Sequence, residues 1–237
     1  MLFSFVRISK LCLTVCQGAL GQLVLAALLL AAGSLPALAG TCCRAVGQPC
    51  NERAVITLLE PGQYRHTPWK NGGGVTVDIA VVTDSDGDVW RLGRTPIVAA
   101  GPFSDYSGFD RVQVLVAGSG LVLKTPEGEI DVRQPFRPVR FAGKTPIVSR
   151  LESGPVEVVN LIGNRAKVRI DIRVLDEGRS LRLGPGTHIV YNPLGKSALD
   201  IGGTRHVLEG DHSLRLAPGD DTVLAGRGGC LLVASIV

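Results

Sequence analysis

The chain has 237 residues, 45% of them hydrophobic and 19% charged, and a formal net charge of +4. A chain of this length can bury one large core or two small ones. Removing residues 1–39, whose only charges are Arg7 and Lys10, lowers the net charge from +4 to +2. A charge so near neutrality gives no support for binding to nucleic acid or to an anionic membrane surface. We therefore expect a small-molecule partner, with no nucleic acid and no membrane contact by the folded domain.

The first 39 residues have the pattern of a targeting segment. Two basic residues precede a long apolar stretch, which ends in Ala37-Leu38-Ala39, a small-x-small pattern suited to signal-peptidase cleavage. If it is not cut, the stretch is long enough to span a bilayer. The pattern predicts a signal peptide or membrane anchor over residues 1–39 and a spacer over residues 40–54. In that case the protein is exported or anchored, and an exported structural or interaction module is one hypothesis for its role.

A second interpretation of the N-terminus stays open. Met1 is the only methionine in the chain, so a true start at a non-ATG codon near Val46 would make the preceding residues an annotation error. The domain would then be cytoplasmic.

The cysteines are distributed unevenly. Five of the six lie in the first 50 residues, and only Cys230 lies beyond them, between apolar neighbours. This distribution excludes a disulfide framework within the folded domain. Cys230 is interpreted as a small buried hydrophobic residue.

From Val55 onward, short β-type runs alternate with Gly, Pro and Asp, and turn signals recur every eight to twelve residues. This spacing favours an all-β sandwich or barrel. A weak internal repeat is also present, because Leu115–Leu123 resembles Leu208–Leu216. We therefore predict two tandem half-barrels, over residues 55–165 and 166–237.

The most informative motif runs from Pro68 to Thr76. It contains an aromatic plane, a cation, an amide and a run of three glycines that exposes backbone N–H groups. These are Trp69, Lys70, Asn71, Gly72, Gly73 and Gly74. Such groups suit a small ligand that carries a carboxylate or an amide. The alternative is a glycine-rich turn with a buried Trp and a solvated Lys.

This motif, with Thr76 and the acidic Asp78 after it, resembles the signature of the HutD/Ves family. Weaker matches follow in the family's order, including Gly101-Pro102-Phe103-Ser104 and Phe141-Ala142-Gly143. The resemblance extends from about Val55 to the C-terminus. It implies a double cupin (bicupin) β-barrel associated with control of histidine utilisation or stress response, without an established catalytic activity. Cupins often dimerise, so a homodimer is an expectation of the resemblance on which the sequence itself is silent.

Four further residues are candidates for the same pocket. Thr76 begins the strand after the glycines, and Trp90 and Arg91 open another strand, with Arg91 as a bidentate clamp for a ligand carboxylate. Asp78 is a candidate general base without an identifiable acidic partner, and a turn residue at the end of a strand is the favoured interpretation. The neighbouring Asp110 and Arg111 are interpreted as a structural ion pair.

Catalytic patterns are weak. None of the four histidines forms the His-x-His pair that a metal-dependent cupin needs, and neither a Gly-x-Ser-x-Gly elbow nor a phosphate loop occurs. We expect no metal, no cofactor and no catalytic residue. The favoured hypothesis is a non-catalytic bicupin that binds a small metabolite, such as the histidine-degradation intermediate formiminoglutamate. The alternative is a cupin-type hydrolase, isomerase or metal-dependent oxygenase.

Overall fold

The structure is a computed structural model that describes residues 55–69, 72–218 and 221–237. The predicted signal peptide and spacer lie outside the described residues. Apart from one short 3-10 turn at Pro61–Gln63, the regular elements of the described part are all strands. In that part, no helix has the length and apolar character needed to cross a membrane.

The strands are numbered in chain order. They are β1 (Val55–Leu59), β2 (Arg65–Pro68), β3 (Val75–Asp84), β4 (Gly87–Ile97), β5 (Gly101–Pro102), β6 (Phe109–Ala117), β7 (Leu121–Thr125), β8 (Gly128–Val132), β9 (Val139–Ala142), β10 (Val148–Leu151), β11 (Val156–Asn164), β12 (Ile170–Asp176), β13 (Ser180–Leu183), β14 (Thr187–Tyr191), β15 (Ser197–Ile201), β16 (Thr204–Leu208), β17 (Ser213–Ala217), β18 (Thr222–Gly228) and β19 (Cys230–Ile236).

The strands form four antiparallel sheets, two in each half of the fold. The first half contains sheet I, in the order β2-β3-β4-β11-β6-β9, and sheet II, in the order β5-β10-β7-β8. The second half contains sheet III, in the order β1-β17-β14-β19-β12, and sheet IV, in the order β13-β18-β15-β16. The described part is all-β, as predicted, and the arrangement of two sheets in each half is consistent with the predicted double cupin.

Strand pairing reveals the internal repeat. Every pairing among β4 to β11 has its equivalent eight strands later, so β4–β11 and β12–β19 are two copies of one topology. The predicted register of the repeat was wrong, however. Leu115–Leu123 crosses from β6 in sheet I to β7 in sheet II, and its topological equivalent is the crossing from β14 to β15, not the one from β16 to β17.

Three apolar clusters hold the four sheets together. One lies inside the first half, between sheets I and II, and one lies inside the second half, between sheets III and IV. The third joins sheets I and III and contains Trp90, Leu92 and Val114 from the first half and Ile189 and Leu232 from the second. Strand β1 also links the halves, because it pairs with β17 and so protects an edge of sheet III.

Side-chain alternation decides which residues reach the interior of the first half. On β4, Trp90 and Leu92 point toward the second half, so Arg91 and Thr95 point into the first half. On β6, Val112 and Val114 face the second half, so Arg111 and Gln113 face inward. A strand buried on both faces therefore places two polar side chains inside the barrel.

A buried histidine in the second half makes stability depend on pH. The His188 Nε2–H donates to the Gly184 carbonyl at 3.0 Å, so Nδ1 accepts from the Ser235 hydroxyl at 2.9 Å. Burial lowers the pKa of His188. Below about pH 6.5, His188 therefore takes up a proton in the unfolded chain, whereas in the folded chain it stays neutral to a lower pH.

We expect the free energy of unfolding to fall as pH drops from 7.5 to 5.5, by at most about 1.4 kcal/mol per pH unit for this one proton. Urea unfolding across this range measures the slope. A His188→Gln variant should have a shallower slope, whereas the exposed His66, changed to Gln, should leave it unaltered. Equal slopes for wild type and His188→Gln would contradict the assignment.

Candidate functional site

A cavity of about 150 Å³ lies inside the first half of the fold. An engineered apolar cavity of similar size in another protein accommodates benzene, so this space suits a ligand of similar bulk. Its wall comes from sheet I, from β5 and from the loop after β5. The lining residues are Thr67, Pro68, Trp69, Thr76, Arg91, Thr95, Ile97, Pro102, Phe103, Ser104, Tyr106, Arg111, Asn160 and Ile162.

Strand register places the polar groups of the wall next to one another. Arg91 on β4 and Arg111 on β6 both pair with Ile162 on the intervening β11, so the three form one row across the sheet. Asn160 lies in the next inward-facing row. The cavity is therefore lined by two guanidinium groups and one carboxamide that sequence separation alone would not bring together.

Arg111 is the most unusual group of the site. Only 7% of it is exposed, and its Nη2 donates to the Asn160 Oδ1 at 3.3 Å. Its Nε has no hydrogen-bond partner, and no carboxylate among the described residues forms a salt bridge with it. A buried cation without a counter-ion is costly unless something else compensates it.

Aromatic rings supply part of that compensation. The Arg111 Cζ lies 5.0 Å from the Phe103 ring centroid, 5.5 Å from that of Tyr106 and 5.0 Å from that of Phe141. Such contacts stabilise a guanidinium without neutralising it. Burial lowers the pKa of Arg111 to about 10, so the group is still cationic at neutral pH. Among the described residues, Arg111 thus gives the cavity a positive charge that no carboxylate compensates.

Arg91 has a different role, because its guanidinium group already binds a carboxylate of this chain. Its Nη2 donates to the Asp78 Oδ1 at 2.6 Å and Oδ2 at 2.7 Å, and its Nε donates to Oδ1 at 3.2 Å. Burial acts to lower the pKa of Arg91, but Asp78 raises it above its ordinary value. Arg91 lines the cavity as predicted, yet its clamp holds Asp78 and not an open position for a ligand.

The same contacts correct the interpretation of Asp78. It lies within β3 and not in a turn, its side chain is 1% exposed, and it also accepts from the Thr67 hydroxyl at 2.6 Å. Asp78 is therefore the buried counter-ion of Arg91.

Hydroxyl groups connect the Trp69 indole to the strands. The indole N–H donates to the Thr76 Oγ1 at 3.0 Å, and that oxygen lies 3.1 Å from the Thr95 Oγ1. Trp69 and Thr76, two of the predicted ligand-binding residues, both line the cavity. Gly93 lies behind them, and a Cβ there would come within 2.5 Å of the Thr76 Cγ2, so a side chain at this position would displace Thr76.

The three glycines of the loop between β2 and β3 contribute less to the cavity wall than the sequence suggested. Its turn is closed internally, because the Gly72 N–H donates to the Trp69 carbonyl at 3.0 Å and the Trp69 N–H donates to the Gly74 carbonyl at 2.9 Å. A Cβ on Gly74 would meet the Trp69 ring at 3.0 Å, so this glycine lets the indole lie flat against the backbone. Gly72, Gly73 and Gly74 do not line the cavity. The predicted contacts from Lys70 and Asn71 lie outside the described residues.

The structure corrects two other interpretations of the sequence. Trp90 is 4% exposed and packs in the cluster between the two halves, on the opposite face of β4 from Arg91, so it does not line the cavity. The predicted pairing of Asp110 with Arg111 was also wrong. Neighbouring residues of a strand point to opposite faces, and Asp110 instead accepts from Arg165.

Sequence reasoning therefore missed Arg111 as a site residue, although a signal existed. The run from Val112 to Val116 is apolar except for Gln113, which is typical of a strand buried on both faces. An arginine that enters such a strand must lie at its end or inside the barrel.

The histidine and acidic side chains of the described part form no metal-binding cluster. Among the described residues, no three His, Cys, Asp or Glu side chains come close enough together to hold a metal ion. The described cavity wall likewise contains no side chain of these four types. His206, Glu209 and His212, which lie close together in the sequence, form no such group.

The comparisons with known proteins agree on one family. The HutD family model matches residues 62–233. A protein of Pseudomonas putida described as an uncharacterized 21.2 kDa protein in the hutC 3' region is 28% identical over 138 residues, which are 57% of this chain and 73% of that protein. Protein Ves of Citrobacter koseri is 27% identical over 110 residues, which are 46% of this chain and 58% of Ves.

A solved structure agrees with these relatives. HutD from Pseudomonas fluorescens SBW25, in a formate condition, superposes with a TM-score of 0.66 at 26% identity, covering 77% of this chain and all of that chain. The resemblance noted from the sequence motifs is thereby confirmed.

Proposed function

Because the chain belongs to the HutD family, we propose that it is a non-catalytic, metal-free bicupin that binds a small carboxylate metabolite in the cavity of the first half. The observation that carries this proposal is Arg111, a cation that is 7% exposed and has an aromatic surround but no carboxylate partner among the described residues. A ligand carboxylate at this position would supply the missing charge and accept two parallel hydrogen bonds.

The charges of the described wall call for at least one anionic group. Asp78 neutralises Arg91, so among the described lining residues the charge of Arg111 remains to be matched. The Asn160 amide and the Thr76 and Thr95 hydroxyls lie on the same wall and can orient the rest of the ligand. Of the usual general acids and bases, the described wall lacks His, Cys, Asp, Glu and Lys and contains Tyr106. It therefore offers no paired acid and base among the described residues, and this supports binding as the role.

The names of two relatives support the choice of ligand class. One relative is described by its place in the hutC 3' region, and a HutD structure was obtained in a formate condition; formate is the smallest carboxylate. We propose that the protein senses or limits histidine utilisation by binding a carboxylate intermediate of that pathway, with formiminoglutamate as the first candidate.

A thermal-shift panel on the full chain tests this function. The panel contains formiminoglutamate, formylglutamate, urocanate, histidine, glutamate, formate and EDTA. A ligand at 100 times its Kd adds about 2.7 kcal/mol to stability, so we expect a clear rise in Tm with at least one carboxylate of the pathway. A fall with EDTA alone would favour the metal-dependent enzyme, and no response to any carboxylate would contradict the proposal.

A further inference from the structure

Gln113 is a buried amide whose polar atoms find no partner in the described part of the chain. Its relative exposure is 0%, and neither its Oε1 nor its Nε2 has a hydrogen-bond partner. Leaving one buried donor or acceptor unpaired is destabilising, and here both ends of one side chain are unpaired. The polar atoms of Gln113 therefore call for a partner outside the described residues.

The position of Gln113 relates it to the cavity. It follows Arg111 by two residues on the same face of β6, and it pairs directly with Asn160 on β11. Asn160 lines the cavity, whereas Gln113 does not. Paired side chains in a sheet have Cβ atoms about 5 Å apart, so the cavity ends one side chain short of Gln113.

The side chain of Arg111, on the same face of β6 as Gln113, is itself incompletely hydrogen-bonded. The Arg111 Nη2 donates to Asn160 at 3.3 Å, a long hydrogen bond, and its Nε is unpartnered. A carboxylate that draws the guanidinium toward the cavity would break that long hydrogen bond and weaken the ring contacts, in exchange for charge-assisted hydrogen bonds to the ligand. The carboxylate would then open the space next to Gln113 and Asn160 to the remainder of the ligand.

We propose that Gln113 is a specificity-determining residue that selects carboxylates with an amide-like group. An unpaired donor and an unpaired acceptor in one side chain complement a group that both accepts and donates, such as a carboxamide, a formamide or an amidine. This inference rests on the proposed function, because Arg111 must first hold the carboxylate.

Two ligands of equal charge and equal numbers of non-hydrogen atoms provide the test. Succinamate carries a carboxylate and a primary amide, and 4-methylpentanoate replaces the amide with an isopropyl group. A site built around buried polar groups rejects the analogue that cannot pair with them. We expect the full-length wild type to bind succinamate at least about tenfold more tightly by isothermal titration calorimetry.

Gln113→Met keeps the length of the side chain and removes its polar atoms, and it should abolish or invert this preference. Its Tm without ligand should equal or exceed that of wild type, because an unsatisfied amide is lost. Gln113→Leu serves as a second variant should the first not fold. Equal binding of both ligands by wild type, or an unchanged ratio in the variants, would overturn the role of Gln113. Failure of wild type to bind either ligand would overturn the carboxylate site as well.

Discussion

Replacing Arg111 with methionine is expected to weaken carboxylate binding by about a hundredfold or more. Removing one member of a desolvated charge pair costs about 2–5 kcal/mol, because the partner charge is left without compensation. Calorimetric titration with the strongest ligand of the panel measures the loss.

The same change should leave the free protein at least as stable as wild type. Arg111 is buried without a counter-ion in the part of the chain that the structure describes, so its loss relieves an uncompensated charge. The methionine sulfur packs well against rings such as Phe103 and Phe141. A protein that gains stability while losing its ligand has given up a functional group and not a structural one.

Arg165→Met is the matched control. Arg165 is half-exposed and pairs with Asp110, the residue next to Arg111. Exposed ion pairs contribute little, so this variant should bind ligand normally and unfold close to wild type. Normal binding by Arg111→Met would show that the carboxylate does not depend on Arg111.

Replacing Arg91 with alanine is expected to have the opposite signature. Asp78 would remain buried without its partner, and breaking a buried pair in this way costs about 3–5 kcal/mol. We therefore expect a large loss in the free energy of unfolding, measured by urea denaturation, and any loss of binding should follow from the loss of structure.

Arg65 offers a sharp control for this prediction, because it contacts the same carboxylate from outside. Its side chain is 65% exposed and its Nη2 lies 3.5 Å from the Asp78 Oδ2. Arg65→Ala should cost less than about 1 kcal/mol. The double variant Arg91→Leu with Asp78→Leu should recover much of the loss, because it removes both charges together. If Arg91→Ala is as stable as Arg65→Ala, the pair does not stabilise the fold.

The fold class could be predicted from the sequence because turn residues and apolar alternation are local signals. The repeat was visible, but its register was not. Leu115–Leu123 and Leu208–Leu216 resemble each other locally, but the first leaves sheet I for sheet II and the second leaves sheet IV for sheet III. A tight turn has the same local sequence whether it joins two strands of one sheet or crosses between two sheets. Only long-range pairing decides which strands become neighbours.

The candidate site was predicted in part for the same reason. Trp69 and Thr76 belong to one local motif, and both line the cavity. The meeting of Arg91 with Asp78 depends on how β3 and β4 pair, including an irregularity between Asp78 and Ala80, and no local pattern shows this. Arg111 enters through the register of β6 against β11, which brings together residues about 50 positions apart.

The most direct test of the central claim is a crystal structure of the full chain with the panel ligand that raises Tm most. We predict that the ligand lies in the cavity of the first half, with its carboxylate oxygens within hydrogen-bonding distance of the Arg111 guanidinium and Arg91 still bound to Asp78. A ligand bound outside this cavity, or inside it with the carboxylate directed away from Arg111, would contradict the account.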